Sequence, residues 1–256
     1  MVLVQISQLV EEDHMPTILI IVPVNNTQFN ETIYNAVKPF MAPDFDLIIQ
    51  NIEQGCPCIE SRYNMAMNTP YVIDLAMRAI DSGDIAGIFV TDMDMTGVDQ
   101  LRELTTIPVL GGFQASAFTA MMLAQKFSIV TVSRSVMALQ EEHIRAFGIT
   151  DNFASIRSVD MSVTDLSNTD EARRRVYEQS LRAIMEDGAE AIILGCTGFV
   201  NVAAYVQNEL LVNNNLDIPV IDPNIAAVSY LELLIRNNLH QSKLTYCFPP
   251  AACNLY

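Results

Sequence analysis

Basic residues are scarce in this chain: 14 Lys and Arg stand against 30 Asp and Glu, giving a formal net charge of -16 over 256 residues. That balance argues against a nucleic-acid or anionic-membrane partner, since both require basic patches. Long apolar runs are also missing. Those at Ile18–Val24, Ile88–Val90 and Ala191–Leu194 fall far short of the about 20 residues a membrane-spanning helix needs. The N-terminal stretch "MVLVQISQLVEEDHMP" lacks the basic start and long apolar core of a secretory signal, so a cytoplasmic location is expected. The glycosylation patterns "NNT" and "NET" then carry no meaning. Cysteine is sparse too, and five in a chain of this length fit a reducing compartment better than a disulfide framework. Cys56 and Cys58 are spaced C-x-C, and His14, His143 and His240 are widely scattered, so no metal site is expected. Neither a Gly-x-Gly-x-x-Gly nor a Walker loop occurs, which predicts no bound nucleotide. A cofactor is therefore not expected.

What the chain does have is apolar material, half of its residues, enough to bury a substantial core. Short β-rich runs alternate with longer helical patterns. Strands are predicted at Thr17–Val24, Asp46–Gln50, Ala86–Thr91, Val109–Leu110, Ser128–Val132, Ser155–Ser158, Ala189–Leu194 and Val220–Ile221. Between them "YVIDLAMRAIDSG", "VMALQEEHIRAFG" and "DEARRRVYEQSLRAIMEDG" have helical spacing and stop at glycine. This alternation predicts an α/β fold with mostly parallel sheets.

An internal echo divides the chain. "GIFVTD", a helix and "IPVLGG" match "AIILGC", a helix and "IPVIDP". Two pseudo-symmetric lobes on one plan follow, with a cleft between them. The expected division is 1–115 plus 223–256 for the first lobe, with the C-terminal helix and tail, and 116–222 for the second. Ligands of parallel sheets bind at the carboxyl ends of strands. Asp92 and Cys196 hold the same place in their two units and should face one cleft.

Cys196, in "AEAIILGCTGFV", is a small apolar residue for a buried strand or a reactive thiol. Followed by Thr197 and Gly198 at a helix start, it should meet free N–H groups that lower its pKa from about 8.5 toward neutrality. Asp92, in "AGIFVTDMDMTG", can act as a base, or as an acid once burial or a neighbouring anion raises its pKa. It also suits the N-cap or first turn of the following helix, a place Asp94 would fill equally well. Met93 and Met95 beside it suit either an adaptable apolar pocket or core.

The ordered set "IVPVNNTQFNETI", "GCPCIESRYN", "TIPVLGGFQAS", "LGCTGF" and "LDIPVIDPNIAAV" resembles the aspartate/glutamate/hydantoin racemase superfamily, most closely its hydantoin racemase branch. The likeness covers nearly the whole chain after about residue 17. In that family two cysteines, one per lobe, flank the α-carbon of a small carboxylate or cyclic ureide, one removing a proton and the other delivering one to the opposite face. Cys196 matches the second of them. Asp92 stands where the first would be, and Gln114 where the branch often has glutamate. The resemblance implies a cofactor-independent racemase or epimerase acting on a small-molecule substrate, with Cys196 and Asp92 as the acid/base pair, and a homo-oligomer. A single-cysteine isomerase, decarboxylase or lyase, and an inactive small-ligand binding protein, are the alternatives. Substrate-binding groups are expected at Asn26, Thr27, Thr91, Gln114, Thr131, Ser133, Thr197 and Gly198, with Arg134 as a possible partner for an acidic substrate. Cys58 falls near the site by the same likeness. The tail "YCFPPAACNLY", with Cys247 and Cys253, should pack over a lobe or at a subunit contact.

Overall fold

The computed structural model describes residues 15–250, so His14, Cys253 and the outer ends of the expected first lobe lie outside the described residues. Sixteen elements follow one another: β1 (Thr17–Val22), α1 (Asn30–Val37), β2 (Asp46–Asn51), α2 (Arg62–Asp81), β3 (Ile85–Val90), α3 (Val98–Leu104), β4 (Val109–Gly111), α4 (Gly112–Leu123), β5 (Phe127–Thr131), α5 (Arg134–Ala146), β6 (Phe153–Ser158), α6 (Thr169–Asp187), β7 (Ala191–Leu194), α7 (Ala203–Asn214), β8 (Val220–Ile221) and α8 (Pro223–Arg236). All eight expected strands are present, with small shifts at their ends. β1 stops at Val22 rather than Val24 because Pro23 has no N–H to offer a ladder. α2 starts well before its periodic stretch and runs through Pro70, with Ser61 accepting from the Asn64 N–H at its start.

The strands form two parallel four-stranded sheets, ordered β2-β1-β3-β4 and β6-β5-β7-β8. The two orders are the same when β1 is matched to β5, so the internal echo is a repeat of topology. β1 is central and, after Thr17, apolar throughout. Ile18, Leu19, Ile20 and Ile21 are wholly buried, each worth about 1.5–3 kcal/mol of burial. Such continuous apolar strands are what a sheet covered on both faces requires.

The helix after each fourth strand crosses to the other lobe. α4 follows β4 yet packs on β5, β7 and β8, while α8 follows β8 yet packs on β3, β4 and α1. The two helices also pack against each other. Phe113, Ala117 and Ala120 of α4 thereby join Leu19, Ile21 and Val90 of one sheet to Ile129, Ile193 and Ile221 of the other in a single core. Beyond α8 the tail lies over β4 and α3: Gln241 bonds both the N–H and the carbonyl of Val109, and Tyr246 Oη accepts from Arg102. Among the described residues no helix is long and apolar enough to cross a membrane.

Candidate active site

In each sheet the chain reverses its direction of winding between the first and third strands, which opens a crevice at their carboxyl ends. Asp92 lies two residues past the end of β3 and Cys196 two past the end of β7. Both line one enclosed cavity of about 60 Å³, together with Thr91, Thr197 and Gly198. The rest of the wall is apolar, with Val24, Phe29, Ile33 and Ile59 from the first lobe and Val163 from the second. At the about 30 Å³ a water occupies in the liquid, the space holds roughly two.

The Cys196 loop is held rigidly from behind. The Gly195 N–H donates to Val130 O at 2.7 Å, and its carbonyl accepts from Thr131 Oγ1 and Gln140 Nε2 at 3.1 and 2.8 Å. A side chain at Gly195 would fall 2.7 Å from Ile129 and 2.8 Å from Thr131, so glycine is required there. The Gly198 N–H points at Cys196 Sγ from 3.4 Å. The expected lowering of the thiol pKa is nevertheless wrong. Burial, then the charges of Asp92, Asp94 and Glu60, push it up to about 12, with only the Gly198 N–H opposing. The reason is local: Thr197 and Gly198 occupy a turn, and the next helix, α7, begins only at Ala203, so no helix N-terminus meets the sulfur.

Asp92 is 8 % exposed and accepts three hydrogen bonds from its own loop. The Asp94 N–H reaches Oδ1 at 3.1 Å, while the Thr96 N–H and hydroxyl reach Oδ2 at 3.0 and 2.6 Å. Neither Asp92 nor Asp94 caps α3, whose cap is Gly97 at φ 75°. Met93 and Met95 are buried against Gly112 and Gly111, as core.

A residue that sequence reasoning passed over joins the Asp92 and Cys196 loops. Asn224, at the start of α8 and 2 % exposed, accepts from Thr91 Oγ1 and donates to the Thr197 carbonyl, both at 2.8 Å. Thr197 Oγ1 completes the tie by donating to the Thr91 carbonyl at 2.9 Å. Asn68, wholly buried on α2, does the same for the loop after β1, bonding the Pro23 carbonyl and the Cys56 main chain. Glu60 bonds the Val163 N–H at 3.1 Å and so spans the cleft. The only available signals were the asparagine in "DPNIAAV" and the glutamate in "CIES".

Thr91, Thr197 and Gly198 thus meet at the cavity with Asp92 and Cys196. Several expected residues lie elsewhere. Asn26 closes a turn with the Gln28 N–H, and its neighbour Thr27 is exposed; their loop reaches the cavity through Phe29 instead. Thr131 supports the Cys196 loop from behind. Ser133 bonds Ser135, and Arg134 is 83 % exposed and faces Asp160. Gln114 accepts from Arg102 at 2.5 Å, away from the cavity. Cys56, Cys58, Cys196 and Cys247 are free thiols, and that of Cys58 is raised by burial and then by Glu60 and Cys56. Among the described residues no three His, Cys, Asp or Glu side chains are grouped to hold a metal ion.

Comparison with known proteins gives the family and the fold. The family model described as Asp/Glu/Hydantoin racemase matches residues 18–231. A hydantoin racemase of Pseudomonas sp. (strain NS671) is 31% identical over 234 residues, covering 91% of this chain and 91% of that protein. A second hydantoin racemase, from Paenarthrobacter aurescens, is 30% identical over 227 residues, 88% of this chain and 94% of the relative. Among solved structures, allantoin racemase from Klebsiella pneumoniae superposes with a TM-score of 0.85 at 29% identity, covering 91% of this chain and 94% of that one.

Proposed function

The chain belongs to the Asp/Glu/hydantoin racemase family and is an isomerase of the racemase type, and from that premise we propose that it inverts a carbon next to a carbonyl by two-sided proton transfer between Asp92 and Cys196. One observation carries the proposal: the two side chains stand at equivalent places past β3 and β7 and line the same cavity. The resting protonation follows from their surroundings. With its pKa near 12, Cys196 keeps its proton on sulfur. Asp92 enters as the proton acceptor. It removes the α-proton from one face, the electron pair passes into the neighbouring carbonyl, and the Cys196 S–H bond breaks to protonate the other face. The opposite enantiomer reacts from the state this leaves, with Asp92 protonated and Cys196 a thiolate.

The charges around the thiol suggest the substrate. Asp92, Asp94 and Glu60 all act on Cys196, and no Lys, Arg or His lines the cavity among the described residues. A carboxylate substrate finds no counter-ion there, whereas a neutral cyclic ureide such as a hydantoin with a small aliphatic substituent suits the apolar wall. A cytoplasmic location fits the free thiols and belongs to the same proposal. So does a homo-oligomer: α4, α7 and α8 border an apolar groove of about 850 Å³ where Phe40, Met122, Leu123 and Leu233 are exposed. Light scattering on the purified protein tests the oligomer.

A second reading, a single-cysteine isomerase, decarboxylase or lyase, is favoured by one fact: both Asp92 oxygens are engaged inside their own loop. Incubating one enantiomer of a 5-alkylhydantoin in D₂O separates the two. Deuterium at the reacting carbon with loss of optical rotation, abolished in Cys196→Ala, is the expected result. Carbon dioxide release or a shifted alkene from a substrate panel supports the second reading. No exchange and no product across the panel leaves a binding protein.

A further inference from the structure

Behind Asp92 the lobes meet in a buried polar cluster that the reaction above leaves unused. Asp94 follows Asp92 on the same loop, is 4 % exposed, and its Oδ1 has no hydrogen-bond partner. His143 arrives from α5 in the opposite lobe. Its ring lies against the Asp94 main chain and 4.9 Å from that of Phe113, leaving Nε2 buried and equally unpartnered. Native interiors leave few such atoms unpaired, and two titratable groups from two lobes in one seam call for a reason.

Physical chemistry gives both side chains a preferred form. Burial, and then the charge of Asp92, push the Asp94 carboxyl well above the usual carboxylate range, against a smaller pull from Arg62 on α2. Burial pushes His143 down, against Asp92, the Asp94 main chain, Asp99 and Glu142. Burial thus favours the uncharged form of both. A charge on Asp94 would also act on the thiol, since Asp94 is one of the anions that raise Cys196.

We propose that Asp94 is a positioning residue for the proton transfer: buried in the seam with His143 beside Asp92, it sets the charge that Asp92 and the Cys196 thiol face. The proposal rests on the Asp92–Cys196 reading. When Asp94 loses its proton to solvent, a second anion stands beside Asp92. The thiol then becomes harder to deprotonate, and exchange slows. The wild type should therefore lose activity on the alkaline side through Asp94.

The test follows deuterium exchange into a 5-alkylhydantoin against pH for the full-length wild type, Asp94→Asn and His143→Gln. Asparagine keeps the shape and cannot ionise, so the alkaline limb should disappear or move up by about one pH unit or more. His143→Gln should move the same limb, and it carries the test if Asp94→Asn fails to fold. A variant that is slower by one factor at every pH, its limb unmoved, reduces Asp94 to a structural part and overturns the proposal. The Asp94 ¹³Cγ titration in the ligand-free protein, assigned by its loss in Asp94→Asn, is read without turnover. A midpoint well above 3.8 is expected, and one near 3.8 also overturns the proposal. Absence of exchange in every variant at every pH removes the parent reading, and this role with it; an active enzyme with an unmoved limb removes the role of Asp94 alone.

Discussion

On the proposed reading Asp92 stands where a two-cysteine site has its first thiol, and the consequence is asymmetry. A thiol near 12 and a carboxylate with three donors exchange roles less evenly than two cysteines do. Asp92→Asn keeps the acceptor oxygen but no longer takes a proton, so exchange should fall by about 10²-fold or more, the scale of a positioned general base. Asp92→Cys should instead restore part of the activity and make the two directions more alike. If Asp92→Asn exchanges as fast as the wild type, the aspartate is only a loop staple and the single-cysteine reading stands. Cys196 and Asp92 were legible in the sequence because the same motif occurs twice. The state of the Cys196 thiol was not, because Asp94 and Glu60 act on it through space and because Thr197 and Gly198 form a turn where a helix start was expected.

Element ends shape the cavity and hold its two loops together. A Cβ at Gly198 would lie 2.9 Å from Leu166, 3.4 Å from Cys196 Sγ and 3.6 Å from Phe29. Gly198→Ala should leave the fold intact and cut kcat/KM by about tenfold or more by filling space the substrate needs. Full activity in a folded variant would show that the substrate sits elsewhere. Asn224 acts on both loops at once. Asn224→Leu strands the Thr91 hydroxyl and the Thr197 carbonyl in a dry interior, which costs about 1–3 kcal/mol for each group left unpaired. Denaturant melts should show that loss, and exchange should fall with it. The strands were readable from their apolar runs, but nothing in the sequence marks the role of this asparagine, since its partners lie far away in sequence.

At the helix cap beside Asn224 a pH effect is built in. Asp222 accepts from the Asn224 N–H at 2.8 Å and the Ile225 N–H at 3.4 Å. Burial nonetheless pushes its carboxyl up to about 6, against those bonds. Its folded pKa exceeds the ordinary 3.8, so the folded state binds more protons than the unfolded one between those values. The sign is then fixed: this group favours folding below 3.8 and loses that contribution as pH rises through 6. Asp222→Asn retains a good cap without the charge. It should be more stable than the wild type at mildly alkaline pH, by on the order of 2–3 kcal/mol, and gain little in acid. Equal stability at both pH values in denaturant melts would contradict this account.

The molecule as a whole is closed. A cavity of about 60 Å³ compares with the about 300–1,000 Å³ of small-ligand sites, so the lobes must part before a substrate enters. The buried Thr91–Thr197–Asn224 tie joins the two loops at the cavity beside α8, which crosses between the lobes. Glu60 with Val163, and Arg62 with Glu142, are the contacts that opening breaks. Two lobes and their shared cleft could be read from the repeat. The closed state could not, because it depends on residues of the two lobes, such as Glu60 and Val163, that are far apart in sequence. Arg62 and Glu142 are both more than half exposed, and pairs of that kind contribute about 0–1 kcal/mol, screened by salt. Arg62→Ala should therefore speed substrate entry by no more than about fivefold, with kcat unchanged if proton transfer limits turnover. Salt should reproduce much of that effect in the wild type and little in the variant. A kcat/KM that falls in Arg62→Ala, with no salt dependence in either protein, would mean that the pair guides the substrate rather than latching the lobes.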